Sequence, residues 1–347
     1  MVLSTLLRGE DLSVSQASRA MARVVRGELT EAQIAAFLIA LRAKGETVDE
    51  IIGFRDAVLQ NAVPLPVDPM ALDIVGTGGD PYGAVVNVSS VASVVVASTG
   101  VPVVKHGNRG ASSASGASDV LSALGVRIDL TAERVAQVLH EAGITFAFAA
   151  LFHPGFRHAG PVRKELGVPT VFNILGPLCN PARPEASAVG VADLSRVEQM
   201  AGVFRTRGAT ALVYRGDDGI DKLTTTGHSH IWEVSRGSMT EHDLDPAELG
   251  LARAEPEQLL GAGPEHNAAI ARAVLAGEPG PVRDIVLLNA AAGLVAFDLA
   301  QNPSHIGESI VARLRDKLAV AAEAIDSGAA QARLETWAAT TSRLATA

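Results

Sequence analysis

The chain has 347 residues, enough for two or three structural units. Its 29 Lys and Arg face 38 Asp and Glu, a formal charge of −9, and that balance excludes a protein that coats nucleic acid, which needs clustered excess base. With 48% hydrophobic and 19% charged residues it is no disordered chain, and its one cysteine, Cys179, excludes an intrachain disulfide and a cysteine-based zinc cluster.

The opening residues carry neither a basic leader nor a long apolar run. The Val-rich stretch 91–104 is broken by Ser, Gly and Pro, so it is neither signal peptide nor membrane span. A soluble cytoplasmic protein, with no nucleic-acid or membrane partner, is expected.

Residues 1 to about 65 read as helices only. Ser13 can cap a segment with Ala17, Met21, Val24 and Val25 at helical spacing, closed by Gly27. Thr30 precedes Ile34, Phe37, Leu38 and Leu41, with Gly45 as the stop. A third helix spans 47–61, and three prolines in 64–69 make a stiff linker. Beyond it, strand candidates at 72–75, 101–104, 144–147, 186–191 and 210–213 alternate with helical stretches at 87–99, 112–124 and 194–207. This is the grammar of a mostly parallel sheet covered on both faces. Residues 267–300 and 308–345 read as closing helices, and Pro281 can begin a buried one.

Four constellations carry chemistry. In Asp73-Ile74-Val75-Gly76-Thr77-Gly78-Gly79-Asp80 a strand ends in glycines, which lets backbone N–H groups turn onto an anion. A tight strand-to-helix turn is the plainer reading of the same residues. Asp80 can hold a metal-bound water or a sugar hydroxyl, and Asn87, Ser89 and Ser90 open a helix where free N–H donors favour phosphate.

The second constellation, 105–113, places Lys105, His106, Asn108 and Arg109 with Gly110, Ala111, Ser112 and Ser113 after the strand 101–104. Two cations, glycines and a Ser-Ser pair suit a pyrophosphate, at the sheet edge where open α/β folds bind ligands. The third surrounds His153, Phe156 and Arg157, followed by Arg163, whose planar fork can pair with a carboxylate or simply face solvent. The fourth is 216–227, where Asp217, Asp218 and Asp221 suit Mg²⁺ or a solvated turn. His228 and His230 lack a third ligand, so no metal is expected on them.

These blocks, with 171–181 (VFNILGPLCNP) and the opening helical segments, resemble the anthranilate phosphoribosyltransferases over nearly the whole chain. KHGNR followed by the Ser-Ser pair and FNILGPL is the specific part. The glycine turn alone is shared with pyrimidine nucleoside phosphorylases.

The resemblance implies an N-terminal helical domain (1–66), joined by a helical segment near 160–185, and an α/β domain (70–347), in a homodimer. It implies transfer of phosphoribose from phosphoribosyl pyrophosphate (PRPP) to the amine of anthranilate, with one or two Mg²⁺ ions. Carried over by motif, Gly76, Gly79 and Asp80 face PRPP. Asn87, Ser89 and Ser90 bind its phosphates, and Lys105, Asn108, Arg109, Gly110, Ala111, Ser112 and Ser113 wrap the rest. Gly76, Asn108, His106 and Arg163 meet anthranilate, and Ser89 and Asp221 hold metal. No residue is assigned as acid or base.

The chain departs from the pattern in places. Lys222 stands where the family has a Glu ligand, a cation that cannot bind Mg²⁺ and can instead neutralise pyrophosphate itself. Asn87 follows Asp80 by seven positions, one more than usual, and the Thr that usually precedes the Asn block is missing. Ser90 replaces Thr, Ala114 a basic residue and Ala150 a Pro. A paralogue acting on another small aromatic acid, a non-catalytic relative and a nucleoside phosphorylase are the other readings.

Overall fold

The computed structural model describes residues 2–83, 85–110 and 114–346. Helices α1 (Val2–Leu7), α2 (Val14–Val25), α3 (Glu31–Lys44) and α4 (Val48–Gln60) form the N-terminal unit. Three of them begin with reciprocal caps: Ser13 with Gln16, Thr30 with Gln33, and Thr47 with Glu50. Glu50 does more than cap. Fully buried, it also accepts from the Leu12 N–H and from Lys44 Nζ, tying three segments together.

Seven strands form one sheet: β1 (Leu72–Gly76), β2 (Val103–Gly107), β3 (Ile144–Phe148), β4 (Ala186–Gly190), β5 (Thr210–Gly216), β6 (Ser229–Ser235) and β7 (Ser238–Leu244). The order is β3-β2-β1-β4-β5-β6-β7. The first five neighbours run parallel, and β6 and β7 close the edge as an antiparallel hairpin. The sheet is therefore mostly parallel, as read from the sequence.

The remaining helices are α5 (Val88–Ser98), α6 (Ala117–Ala123), α7 (Ala132–Ala142), α8 (Ala149–Phe152), α9 (Gly160–Leu166), α10 (Phe172–Leu175), α11 (Leu194–Thr206), α12 (Pro264–Leu275), α13 (Pro281–Gln301), α14 (Ile310–Asp326) and α15 (Ala329–Thr346). One core packs α5 and α12–α15 on one face of the sheet. A second buries Val75, Val189 and Val213 from the other face against α11, α9, α10 and the N-terminal helices. None of the helices is long and apolar enough to cross a membrane among the described residues.

Three features were not legible beforehand. Helix α7 lies outside the segments read as helical, whereas α1 falls within the all-helical opening stretch. The hairpin β6–β7 turns on Arg236 and Gly237, both at positive φ, and its outer strand is polar and half-exposed, so it carries no apolar run. Helix α6 starts later than expected, at Ala117, where the Gly110 and Gly116 N–H groups both donate to Asp119 Oδ2.

Candidate active site

Chain order in the sheet reverses between β1 and β4, since β2 and β3 lie to one side and β5 to the other. A crevice opens beyond the carboxyl ends of strands at such a point. Residues 221–222 lie across it. A Cβ on Gly76 would overlap the Asp221 carboxylate, and one on Gly190 would overlap the Asp221 backbone, so both strand ends must be glycine for the segment to seat.

Asp221 Oδ2 accepts from the Gly78 N–H (2.7 Å), and Asp80 Oδ1 accepts from the Asp221 N–H (2.9 Å). Lys222 Nζ donates to Asp80 Oδ2 (2.8 Å) and to Asp221 Oδ1. The glycine turn and the 221–222 segment are thus locked together by one ammonium between two carboxylates. Burial opposes charge on Lys222, but Asp221 and Asp80 outweigh it and hold its pKa above the ordinary lysine value. Burial likewise opposes charge on Asp80, yet Lys222 and the hydrogen bonds from 221 and 222 draw its pKa down.

Behind this turn α5 points its N-terminus at the same crevice. Asn87, at its start, makes no side-chain cap; its amide donates to the Ser115 carbonyl and accepts from Asn267 Nδ2. In its first turn the Val88 N–H donates to the Val86 carbonyl and the Ser90 N–H to that of Asn87, which leaves the Ser89 N–H toward an anion. The hydroxyl of Ser90 is buried with no partner among the described residues.

Lys105 lies within β2, not in the loop after it, and is 1% exposed. Its Nζ donates to the Ile74 carbonyl (2.6 Å) and to Ser89 Oγ (3.2 Å). Burial pulls this ammonium down to about 8 and pushes Asp73, on β1, up to about 6. Asp73 accepts from the His106 N–H and from Asn180 Nδ2, which also donates to the Val104 carbonyl.

Asn108 and Arg109 follow β2 directly and are exposed; Arg109 lines an opening with Val126, Arg127 and Phe148. The Gly110 N–H is turned to Asp119, while Ala111, Ser112 and Ser113 lie outside the described residues. His106 lies buried in β2, and its Nε2 has no partner among the described residues. Its Nδ1–H donates to the Gly176 carbonyl (3.0 Å), its ring packs edge-on against His153, and burial drives its pKa down to about 3.

A second opening adjoins this edge. A cavity of about 360 Å³ is lined by Asn108, Ala149, Ala150, His153, Pro154, Phe156, Arg157, Gly160 and Arg163, a size suited to a small ligand. His153 stacks on Phe156, and burial lowers its pKa to about 4. Arg163 rests over the Phe172 ring at 5.2 Å, and among the described residues it has no carboxylate partner, burial alone lowering its pKa. A partly buried guanidinium without an acid is a ready partner for a ligand carboxylate.

The fourth constellation divides. Asp221 reaches the crevice, but Asp218 is spent on its own turn, accepting from the Thr224 and Thr226 hydroxyls and the Ile220 N–H. Asp221 does not stand open to a metal either, because a hydrogen bond and an ammonium already occupy its two oxygens. Among the described residues no three His, Cys, Asp or Glu side chains converge as a metal cage. Ser89 Oγ, at the start of α5, accepts from the Lys105 ammonium and keeps a second lone pair for a ligand. His228 and His230 pair with Asp245 and Asp243 of the hairpin.

Sequence reading missed two supports. Asn289 of α13 both donates to the Leu223 carbonyl (2.8 Å) and accepts from its N–H (3.1 Å), fixing the 221–223 segment from below. Asn267 of α12 orients Asn87. Each lies far from its partner along the chain, and neither stands in a local motif. Before α5 the chain docks on 259–260, where the Val86 N–H donates to the Leu259 carbonyl and Val85 bridges Leu260.

Comparison with known proteins places this geometry. Residues 68–331 match the glycosyl transferase family a/b domain and residues 1–62 its helical bundle domain. The anthranilate phosphoribosyltransferase of Clavibacter michiganensis is 71% identical over 98% of this chain and 97% of its own. That of Streptomyces griseus is 52% identical over 97% and 93%. Among solved structures, the Thermus thermophilus enzyme superposes with a TM-score of 0.89 at 42% identity, over 98% of this chain and 99% of that one. The Saccharomyces cerevisiae enzyme in complex with PRPP and Mg gives 0.87 at 28%, over 98% and 97%. By this likeness along its whole length, the chain belongs to the anthranilate phosphoribosyltransferase family.

Proposed function

We propose that the chain transfers the 5-phosphoribosyl group of PRPP to the amine of anthranilate, releasing pyrophosphate, as a step of tryptophan biosynthesis. One observation carries the reading. Asn108, directly after β2, lines the cavity that holds Arg163 and at the same time borders the edge formed by the glycine turn, α5 and Lys105. In this reading a diphosphate site and a carboxylate site meet at that residue.

The chemistry asks the protein for positioning and charge. The C1–O bond to pyrophosphate breaks while C1 gains oxocarbenium character, and the amine nitrogen forms the new C1–N bond and gives its proton to solvent. The aromatic amine is already neutral at pH 7, so no residue need act as its base. Backbone donors of the glycine turn and α5, with the Lys105 ammonium, stabilise the departing charge. Gly76, Gly79, Asp80, Asn87, Ser89 and Ser90 face PRPP in this reading, and Arg109, Gly110, Ala111, Ser112 and Ser113 are assigned to it by motif. Arg163 and Asn108 align the acceptor, which supplies proximity.

Bound Mg²⁺ neutralises the diphosphate as it leaves. Ser89 is the residue that would hold it. The relatives' names favour anthranilate over another aromatic acid. The wider reading is a cytoplasmic homodimer whose helical unit combines 1–66 with 160–185, in keeping with their common core.

The test follows anthranilate by its intrinsic fluorescence while PRPP and Mg²⁺ are titrated. Consumption that needs both supports the reading. Faster use of a substituted aminobenzoate, or no consumption at all, would refute it.

A further inference from the structure

Lys222 places an ammonium between two carboxylates at the glycine turn. Its ammonium is 2.8 Å from Asp80 Oδ2, bonded to Asp221 Oδ1 as well, and its side chain is 11% exposed. The two carboxylates are themselves fixed. Asp80 accepts from the Asp221 N–H, Asp221 accepts from the Gly78 N–H, and Asn289 grips the next residue from beneath. No other acid among the described residues pairs with this ammonium. A divalent ion binding the facing oxygens of Asp80 and Asp221 would have to expel the ammonium or sit beside it against its repulsion.

The charges make the same point. Asp80, Asp221 and Lys222 together carry one net negative charge. A carboxylate at position 222 would make that three, and one divalent ion would return it to one.

We propose that the Lys222 ammonium replaces one divalent metal ion at the diphosphate-binding edge, so that the chain binds pyrophosphate with a single ion. The inference rests on the function proposed above. The ammonium answers the diphosphate directly, as a point charge held in place by two acids. The remaining ion belongs to the Ser89 side of the crevice.

The experiment counts bound Mn²⁺ per chain by electron paramagnetic resonance at saturating pyrophosphate, in the chain itself and in Lys222→Glu. One ion in the chain and two in the variant are expected. Two ions in the chain, or one in Lys222→Glu, would overturn the proposal. Thermal melting without pyrophosphate gives a second measure, using Lys222→Gln as well. Removing the ammonium leaves two carboxylates face to face, so millimolar Mn²⁺ should raise the Tm of Lys222→Gln more than that of the unaltered chain. An equal rise in both would overturn it. If pyrophosphate fails to bind, with or without metal, the function proposed above falls; an unwanted second ion on a pyrophosphate-binding chain condemns the lysine proposal alone.

Discussion

Replacing Arg163 with alanine isolates the acceptor side of the reaction. The guanidinium lies over Phe172 and pairs with no acid among the described residues, so the folded chain loses only a cation–π contact of roughly 1 kcal/mol. The acceptor loses more. A carboxylate held by charge-assisted hydrogen bonds forfeits about 2–3 kcal/mol when its donor is removed, or roughly 30- to 150-fold in affinity. The KM for anthranilate should therefore rise by about that factor while the KM for PRPP moves less than about threefold. Arg163→Lys should recover only part of the loss, because an ammonium lacks the planar two-donor fork. Initial rates by anthranilate fluorescence, with each substrate varied at saturation of the other, measure both constants. Equal rises in the two KM values, or a fall in kcat alone, would show that Arg163 does not hold the acceptor.

Three further outcomes follow from the same geometry. Gly190→Ala would drive a Cβ into the Asp221 backbone, so a stability loss of about 1–3 kcal/mol with collapse of PRPP affinity is expected; Gly176→Ala, which meets open space, is the control, and urea unfolding that ranks the two equally would refute the packing argument. Lys105 titrates near 8 because it is buried, so its positive charge is present below that pH and fades above it. The KM for PRPP should climb as pH passes through 8 while that for anthranilate stays level, and a flat PRPP profile from pH 7 to 9 would detach Lys105 from the donor.

His106 and His153 are held neutral by burial, with pKa values near 3 and 4 against 6.5 when unfolded. Below pH 6.5 the unfolded chain takes up protons that the folded chain refuses, so stability falls as pH drops toward 4, by about 1.4 kcal/mol per unit for each histidine. Denaturation of His153→Leu between pH 6.5 and 5 should show a slope shallower by one histidine's share; an unchanged slope would mean that His153 titrates normally in the folded state.

Much of the molecule is written in short stretches of chain. The pairs Ser13–Gln16, Thr30–Gln33 and Thr47–Glu50 start their helices from within one turn, because a cap needs only side chains three residues apart. Apolar runs ending in glycine mark β1 and β2 for the same local reason, and with them the phosphate-facing edge. The edge hairpin escaped such reading because a half-exposed outer strand has no apolar run to betray it.

What the chain's neighbours along the sequence could not decide is which charges meet. Lys222 read as a cation near a phosphate, yet only the fold shows it bridging Asp80, 142 residues away, with Asn289 as support. Likewise Arg163 of α9 and Asn108, 55 positions earlier, line one cavity with His153 and Phe156. Local caps and turns depend on backbone geometry within a few residues. Ion pairs and pockets depend on side chains that the sheet's strand order brings together, and no spacing along the sequence encodes that distance.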